Sequence, residues 1–247
     1  MENDLNLAVL IDGDNIPSKY IKLMMEEIAK YGVPSIKRIY GDWTKPHLSK
    51  WKKLLLDHAI QPMQQYGYTQ GKNATDSAMI IDAMDVLYTG KTDGFCLVSS
   101  DSDFTRLATR LRESGQKVIG IGEQKTPDPF IAACDKFIYL EILQEEEEVP
   151  KKGKNTNQQK TAVQKVTPET IKLIKTSVYD CADDDGWAFL GDVGSLINKK
   201  QPNFDPRNFG FYKLTPLIDS LNIFEIEQRE AGNSKFKHIY VRNKRES

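Results

Sequence analysis

Leu7-Ala-Val-Leu-Ile-Asp12 is an apolar run that stops at a carboxylate. A continuous apolar run of this length is typical of a strand covered on both faces, as in a parallel sheet. The same pattern returns at Phe95-Cys-Leu-Val-Ser-Ser-Asp101, with Asp103 two residues on. After the first run comes Asp12-Gly-Asp14-Asn15, where Gly13 lets the backbone turn tightly. Pro17 then suits a first helical turn with Asn15 as its cap. Ile21, Met24, Met25 and Ile28 continue at helical spacing to about Tyr31, where Gly32 stops them.

The alternation continues outward. Ser35–Tyr40 reads as a strand, Leu48–His58 as a helix and Ile60–Gln65 as a third strand. Thr75 opens a helix whose apolar face is read as Ala78, Ile80, Ile81 and Met84, ending near Tyr88. Phe95–Ser99 is the fourth strand and Phe104–Ser114 the next helix. Lys117–Ile121, Pro129–Cys134 and Phe137–Leu140 supply a strand, a short helix and a last strand. Strands alternating with helices predict an α/β fold with a parallel sheet and helices on both faces.

In such a sheet the strand C-terminal ends share one edge, where ligands bind. Asp12, Asp76, Asp101 and Asp103 all fall at that edge and are expected to converge. Grouped carboxylates repel and raise one another's pKa unless a cation neutralises them. Hard oxygen ligands suit Mg²⁺ or Mn²⁺, which points to metal-assisted chemistry on a phosphate backbone. Each acid also has a plainer reading. Asp76, in a first helical turn, favours the helix dipole, and Asp103 or Ser102 can cap the following helix. Asp101 has no such structural demand on it. Asp14 stays open between ligand and cap, and Asn15 fits a cap better. Asp82 and Asp85 lie ~120° and ~180° round the helix from Asp76 and are placed outside the site. Lys72 sits where it would touch a phosphate, or is a plain solvated lysine.

Composition bounds the rest. The chain has 247 residues, 39% hydrophobic and 28% charged, typical of an ordinary globular protein. Its apolar runs fall short of the ~20 residues a membrane helix needs, and the acidic start Met1-Glu-Asn-Asp4 is unlike a signal peptide. The Asn73-Ala-Thr75 sequon is discounted with it. Cys96, Cys134 and Cys181 have no paired spacing, so reduced thiols in a cytoplasmic protein are expected and a zinc site is not. Residues 1–143 hold 17 basic and 19 acidic residues, and residues 165–247 hold 13 and 12. A nucleic-acid surface must therefore be a local patch.

Residues 144–164, with an acidic run at Glu145–Glu148 and a lysine-rich run after it, cannot form a core and read as a flexible linker. Residues 165–247 read as a second unit. Thr167-Pro-Glu-Thr opens a helix with Ile171, Ile174 and Val178 inward. Trp187, Leu190, Val193, Leu196 and Ile197 suggest a second helix. Phe211–Leu221 suggests a third, and Phe224–Gln228 with His238–Arg242 a hairpin. Lys199, Lys200, Arg207 and Lys213 cluster in sequence with Phe204, Phe209, Phe211 and Tyr212. The basic residues are candidate phosphate contacts, while Phe204, Phe211 and Tyr212 are expected in the core. Lys235, Lys237, Arg242, Lys244 and Arg245 read as a solvated hairpin and tail.

Leu10-Ile-Asp-Gly-Asp-Asn15, Lys72-Asn-Ala-Thr-Asp76 with its continuation to Asp85, and Leu97-Val-Ser-Ser-Asp-Ser-Asp-Phe104 together resemble the three signature blocks of NYN domains, in the PIN-like nuclease superfamily. The resemblance covers roughly residues 5–142 of a unit read as 1–143. It implies a PIN-like three-layer α/β/α fold and a Mg²⁺- or Mn²⁺-dependent ribonuclease site. Asp12, Asp76, Asp101 and Asp103 fall at its metal-ligand positions, with Asn15 at the polar position beside the first. Asp185–Asn198 and Pro202-Asn-Phe-Asp-Pro-Arg-Asn-Phe-Gly-Phe-Tyr-Lys-Leu214 resemble the LOTUS, or OST-HTH, domain, a winged-helix α+β module that resembles RNA binders. Together these imply an endoribonuclease acting on single-stranded or structured RNA, with Lys72, Lys199, Lys200, Arg207 and Lys213 as RNA contacts. They also allow a homodimer and a protein partner through the LOTUS domain. Two rivals are carried: an RNA-binding or scaffolding protein without activity, and a haloacid dehalogenase-type phosphohydrolase using the Asp12-x-Asp14 spacing.

Overall fold

The structure, a computed structural model, describes residues 4–66, 74–144, 164–230 and 237–244. The chain divides into two compact units, at Gly153 and Lys154. The expected linker lies almost wholly outside the described residues.

The first unit is built on six parallel strands: β1 (Asn6–Asp12), β2 (Val33–Gly41), β3 (Gln61–Gln64), β4 (Gly94–Val98), β5 (Lys117–Gly122) and β6 (Lys136–Tyr139). Their spatial order is β3-β2-β1-β4-β5-β6. β1 and β4 are adjacent and fully apolar inside, with Leu7 to Ile11 and Phe95 to Val98 all buried. That is why both read as unbroken hydrophobic runs rather than alternating ones. The strand order reverses between β1 and β4. By the right-handed crossover rule, α1 (Ile21–Ile28) and α2 (Trp51–Asp57) cover one face, and α3 (Ala74–Tyr88), α4 (Thr105–Glu113) and α5 (Asp128–Ala133) the other. The crevice outside the ends of β1 and β4 is thus the topological switch point, where ligands of open α/β sheets bind.

Several local expectations shift. Asn15 caps no helix: a single 3₁₀ turn (Ser18–Tyr20) follows Pro17, without a side-chain cap. The helix read from Leu48 begins as a 3₁₀ turn (Pro46–Lys50) before α2. On α3 the buried face is Met79, Ala83 and Val86, with Ile80 and Met84 partly covered. Ile81 faces solvent instead, because the face facing the sheet is one position out of phase with the expected one. Thr75 lies inside α3 rather than at its cap. A sixth helix, α6 (Leu140–Gln144), follows β6 and buries Leu140, Ile142 and Leu143.

The second unit has helices α7 (Pro168–Asp180), α8 (Leu190–Lys200) and α9 (Leu214–Ser220) around a three-stranded antiparallel sheet. Its strands are β7 (Ala188–Phe189), β8 (Phe224–Glu230) and β9 (Lys237–Asn243), in the order β7-β9-β8. Thr167 caps α7, its hydroxyl accepting from the Thr170 N–H at 3.3 Å. Ile174, Val178, Val193, Ile197, Leu217, Ile218 and Val241 meet in the core. Trp187 is not part of α8. It precedes β7, stacked under the guanidinium groups of Arg229 and Arg242, with Tyr240 on Arg229 as well. Phe211–Lys213 lie before α9, because a 3₁₀ turn (Pro206–Phe209) closed by Gly210 at φ +80° takes up the chain.

Phe204 and Phe209 are core residues and Phe211 packs against them. Tyr212 does not, being 69% exposed. Arg207 is largely buried and forms a two-pronged pair with Asp205, at 3.0 Å from Nε and 2.9 Å from Nη2. Removing one member of a buried pair strands the other's charge, at a cost of about 3 kcal/mol. Arg207→Ala is therefore expected to lower the melting temperature of the second unit, measured by thermal denaturation. An unchanged melting temperature would show that the pair is not holding the turn.

Candidate functional site

The loop after β1 is set by close backbone packing. The Gly13 N–H donates to the Tyr40 carbonyl at 2.9 Å. A Cβ at Gly13 would sit 2.9 Å from that same oxygen. Gly13→Ala must push the loop off β2, so it is expected to cost about 1–3 kcal/mol and to displace Asp12 and Asp14. Thermal denaturation checks this, and a variant as stable as wild type would contradict it.

Asp12 ends β1 and is only 3% exposed. The Ser99 hydroxyl, at the end of β4, donates to Asp12 Oδ2 at 2.8 Å and accepts from the Asp101 N–H at 3.1 Å. One buried hydroxyl thus ties together the two strand ends across the switch point. Burial pushes the Asp12 carboxyl up to about 7, with the Ser99 bond opposing and the charges of Asp76 and Asp14 adding to the rise.

Asp76 lies in the first turn of α3, and Asp101 and Asp103 follow β4. One carboxylate oxygen from each of these three lies within 4.8 Å of the others. Asp76 is raised by burial first, then by Asp101, Asp103 and Asp14. Asp101 also has a structural role. Its Oδ1 accepts from the Asp103 N–H at 2.9 Å and caps the 3₁₀ turn Ser102–Phe104, while its other oxygen takes no part in the cap. Neither Asp103 nor Ser102 makes that cap.

Asp14 turns sideways. It meets His47 at 3.0 Å, the Thr75 hydroxyl at 3.3 Å and Lys45 at 3.9 Å. It therefore bridges the loop after β2 to the start of α3, and is not held as the second half of an Asp-x-Asp pair. Asn15 is half-buried on the same turn, its N–H 3.3 Å from the Asp12 carbonyl. Asp82 lies away from the cluster, bound to Arg38 and Tyr40, and Asp85 is exposed. Asp42, also at this edge of the sheet, organises its own loop by accepting from Thr44 and Gln64. Lys72 lies outside the described residues. Ser99 is a candidate site residue that the sequence does not single out, since it reads as one more small residue of a strand. Its signal is a hydroxyl as the last inward residue of a buried strand, two positions before an acid.

Three hard oxygens this close, from the first turn of α3 and the loop after β4, fit a divalent cation that prefers oxygen ligands. The sequence model of the NYN domain matches residues 6–141. The chain belongs to the NYN family. The OST-HTH/LOTUS domain model matches residues 162–236, so a LOTUS unit follows the NYN unit.

Among solved structures, a protein of unknown function from Vibrio parahaemolyticus is 19% identical with a TM-score of 0.47, covering 56% of this chain and 93% of its own. An uncharacterised protein from Nitrosomonas europaea is 32% identical with a TM-score of 0.32, over 40% of this chain and 93% of its own. A fragment of a Chromobacterium violaceum protein is 27% identical with a TM-score of 0.28, over 35% and 91%. No curated protein matches the chain.

In the LOTUS unit the expected phosphate contacts separate. Lys199 and Lys213 are exposed. Lys200 is held by Asp180 at 2.7 Å and Ser177 at 3.3 Å, and Arg207 is committed to Asp205. On the hairpin, Arg242 pairs with Glu225 and Lys244 reaches the Asn222 carbonyl. Lys235 and Arg245 lie outside the described residues. Among the described residues, no helix is long and apolar enough to cross a membrane.

Proposed function

We propose that the NYN unit is a metal-dependent endoribonuclease and that the LOTUS unit binds the same RNA. The observation that carries this is the group formed by Asp76, Asp101 and Asp103 at the switch point, with Asp12 buried behind it. Asp76, Asp101 and Asp103 would hold Mg²⁺ or Mn²⁺, with Asp12 as a fourth carboxylate beside them. Such a cation supplies activation of water and neutralisation of charge at a phosphoryl group. The chain's own part is positional. Ser99 fixes the Asp12 carboxylate, the Asp101 cap fixes the turn carrying Asp103, and the Asp14–Thr75 bond fixes the start of α3 beside Asp76. Asn15 stands beside Asp12 as a polar group that can orient water or a phosphate oxygen. Of the four cations expected from the sequence, Lys199 and Lys213 are exposed and have no acidic partner among the described residues, which leaves them to the RNA backbone. The three free thiols, two of them buried, suit a reducing cytoplasm.

A labelled single-stranded RNA incubated with the full chain in Mn²⁺, Mg²⁺ or EDTA tests this reading. Cleavage with either metal, none in EDTA, and 5′-phosphate ends are expected. Binding without cleavage in every lane would instead favour a scaffold that keeps the fold.

A further inference from the structure

The carboxylate crevice has an electrostatic difficulty. Four acids at least partly open to solvent, Asp14, Asp76, Asp101 and Asp103, crowd one edge of the sheet in front of the buried Asp12, and a bare RNA strand is repelled by them. Affinity for the strand must come from cations held close by. Net charge does not provide them, since the chain as a whole carries −1.

They stand beside the crevice, after β2. Residues 43–57 contain four lysines, Lys45, Lys50, Lys52 and Lys53, against one acid, Asp57. All four lysines are exposed. Among the described residues Lys50, Lys52 and Lys53 have no acidic partner, and Lys45 has only the long contact to Asp14. The segment carrying them is anchored to the core. Leu48 is buried and fills the space beside Gly41, where a Cβ would lie 2.7 Å from its Cδ1. Trp51 and Leu55 anchor α2 in the core. His47 is bonded to Asp14, and Asp14 to Thr75, the neighbour of Asp76. The basic segment is thus tied to the acidic crevice through two hydrogen bonds, with its charges turned to solvent. Leu56, 84% exposed, shares that outer surface.

We propose that the surface formed by Lys45, Lys50, Lys52 and Lys53 holds the phosphate backbone of the single-stranded RNA that enters the carboxylate crevice. This rests on the ribonuclease reading above and adds the direction of approach: the strand runs along α2 and the Asp14–His47 bridge onto Asp76, Asp101 and Asp103. Fixed cations next to a site steer a polyanion and offset the repulsion of the acids. Lysines placed this way act on the backbone, so they bind without sequence preference.

The experiment measures the affinity of a fluorescent single-stranded RNA for the full chain in EDTA across a range of salt, so that cleavage plays no part. The triple substitution Lys50→Gln, Lys52→Gln and Lys53→Gln is compared with wild type and with the three lysines changed to Arg. Each lost phosphate contact lowers the slope of log Kd against log salt by about 0.7 for a single strand. The Gln triple is expected to lower it by about 2 and to weaken binding at least about tenfold at low salt, while the Arg triple keeps the wild-type slope. Equal slopes and affinities for wild type and the Gln triple would overturn the proposal, as would a wild-type chain that binds no RNA. A reduced slope in a chain that cleaves nothing in Mn²⁺ would support the surface and refute the ribonuclease reading, so the two fail separately.

Discussion

Asp101→Asn is expected to lower the rate of RNA cleavage on the order of 10³-fold or more, or ~4 kcal/mol of transition-state stabilisation. The substitution isolates charge from shape. The carbonyl of the introduced carboxamide can still accept from the Asp103 N–H, so the 3₁₀ turn keeps its cap. The Asp101 N–H bond to the Ser99 hydroxyl is a backbone bond and is untouched. What disappears is one of three charges that lie within 4.8 Å of one another. RNA affinity in EDTA is expected to hold or to tighten, because a repelling charge near the strand has gone. The signature is a fall in kcat with binding preserved. Cleavage within a few-fold of wild type would show that the turnover site lies elsewhere.

Asp12→Asn is expected to stabilise the metal-free protein at neutral and higher pH while abolishing cleavage. Burial holds the Asp12 carboxyl at about 7, well above the usual carboxylate range. Between about 4 and 7 the folded state keeps a proton that the unfolded state has released. Stability therefore falls as pH rises through this window and levels off above it. About three pH units at ~1.4 kcal/mol each put the loss on the order of 4 kcal/mol. Asn cannot ionise and escapes it. In EDTA at about pH 8 the variant is expected to melt above wild type, and at about pH 4.5 the two are expected to converge. Mn²⁺ should raise the melting temperature of wild type and that of the variant by less, by mass action on the folded state, since Asp76, Asp101 and Asp103 remain and the fourth carboxylate is gone. A wild type more stable than Asp12→Asn in EDTA at the higher pH would contradict the assigned environment of Asp12. Such a trade of stability for function is common where a site stores unfavourable charge.

The two buried strands are the most legible part of the sequence, because β1 and β4 are covered on both faces and leave no doubt about their period. With their carboxylate ends they also locate the switch point. The α3 helix is legible as an element but not in its phase. Met79, Ile80, Ile81, Ala83 and Met84 offer apolar residues nearly all round, so periodicity alone does not choose the face that turns to the sheet. Asp101 shows how one residue carries two roles. Its place at a strand end marks it as a site acid, while its cap depends on a backbone geometry that no spacing displays. Asp14 stays open in the sequence for the same reason: its partners His47 and Thr75 are 33 and 61 residues away. In the second unit Tyr212 reads as core but is exposed, while its neighbour Phe211 packs against the core: after the 3₁₀ turn at Pro206–Phe209 and the left-handed Gly210 the two rings part, and no spacing shows which of them turns inward. Arg207 reads as a free cation until its pairing with Asp205, two residues away, is seen.

Everything proposed for the NYN unit depends on Asp76, Asp101 and Asp103 holding a divalent cation. The most direct measurement is a calorimetric titration of Mn²⁺ into EDTA-stripped, dialysed full-length protein, beside Asp76→Asn and Asp101→Asn. Saturable binding by wild type, lost or weakened at least about tenfold in both variants, is the predicted result. The same weak heats in all three proteins would contradict the account, since the carboxylates would then be a cluster of solvated charges and not a metal site.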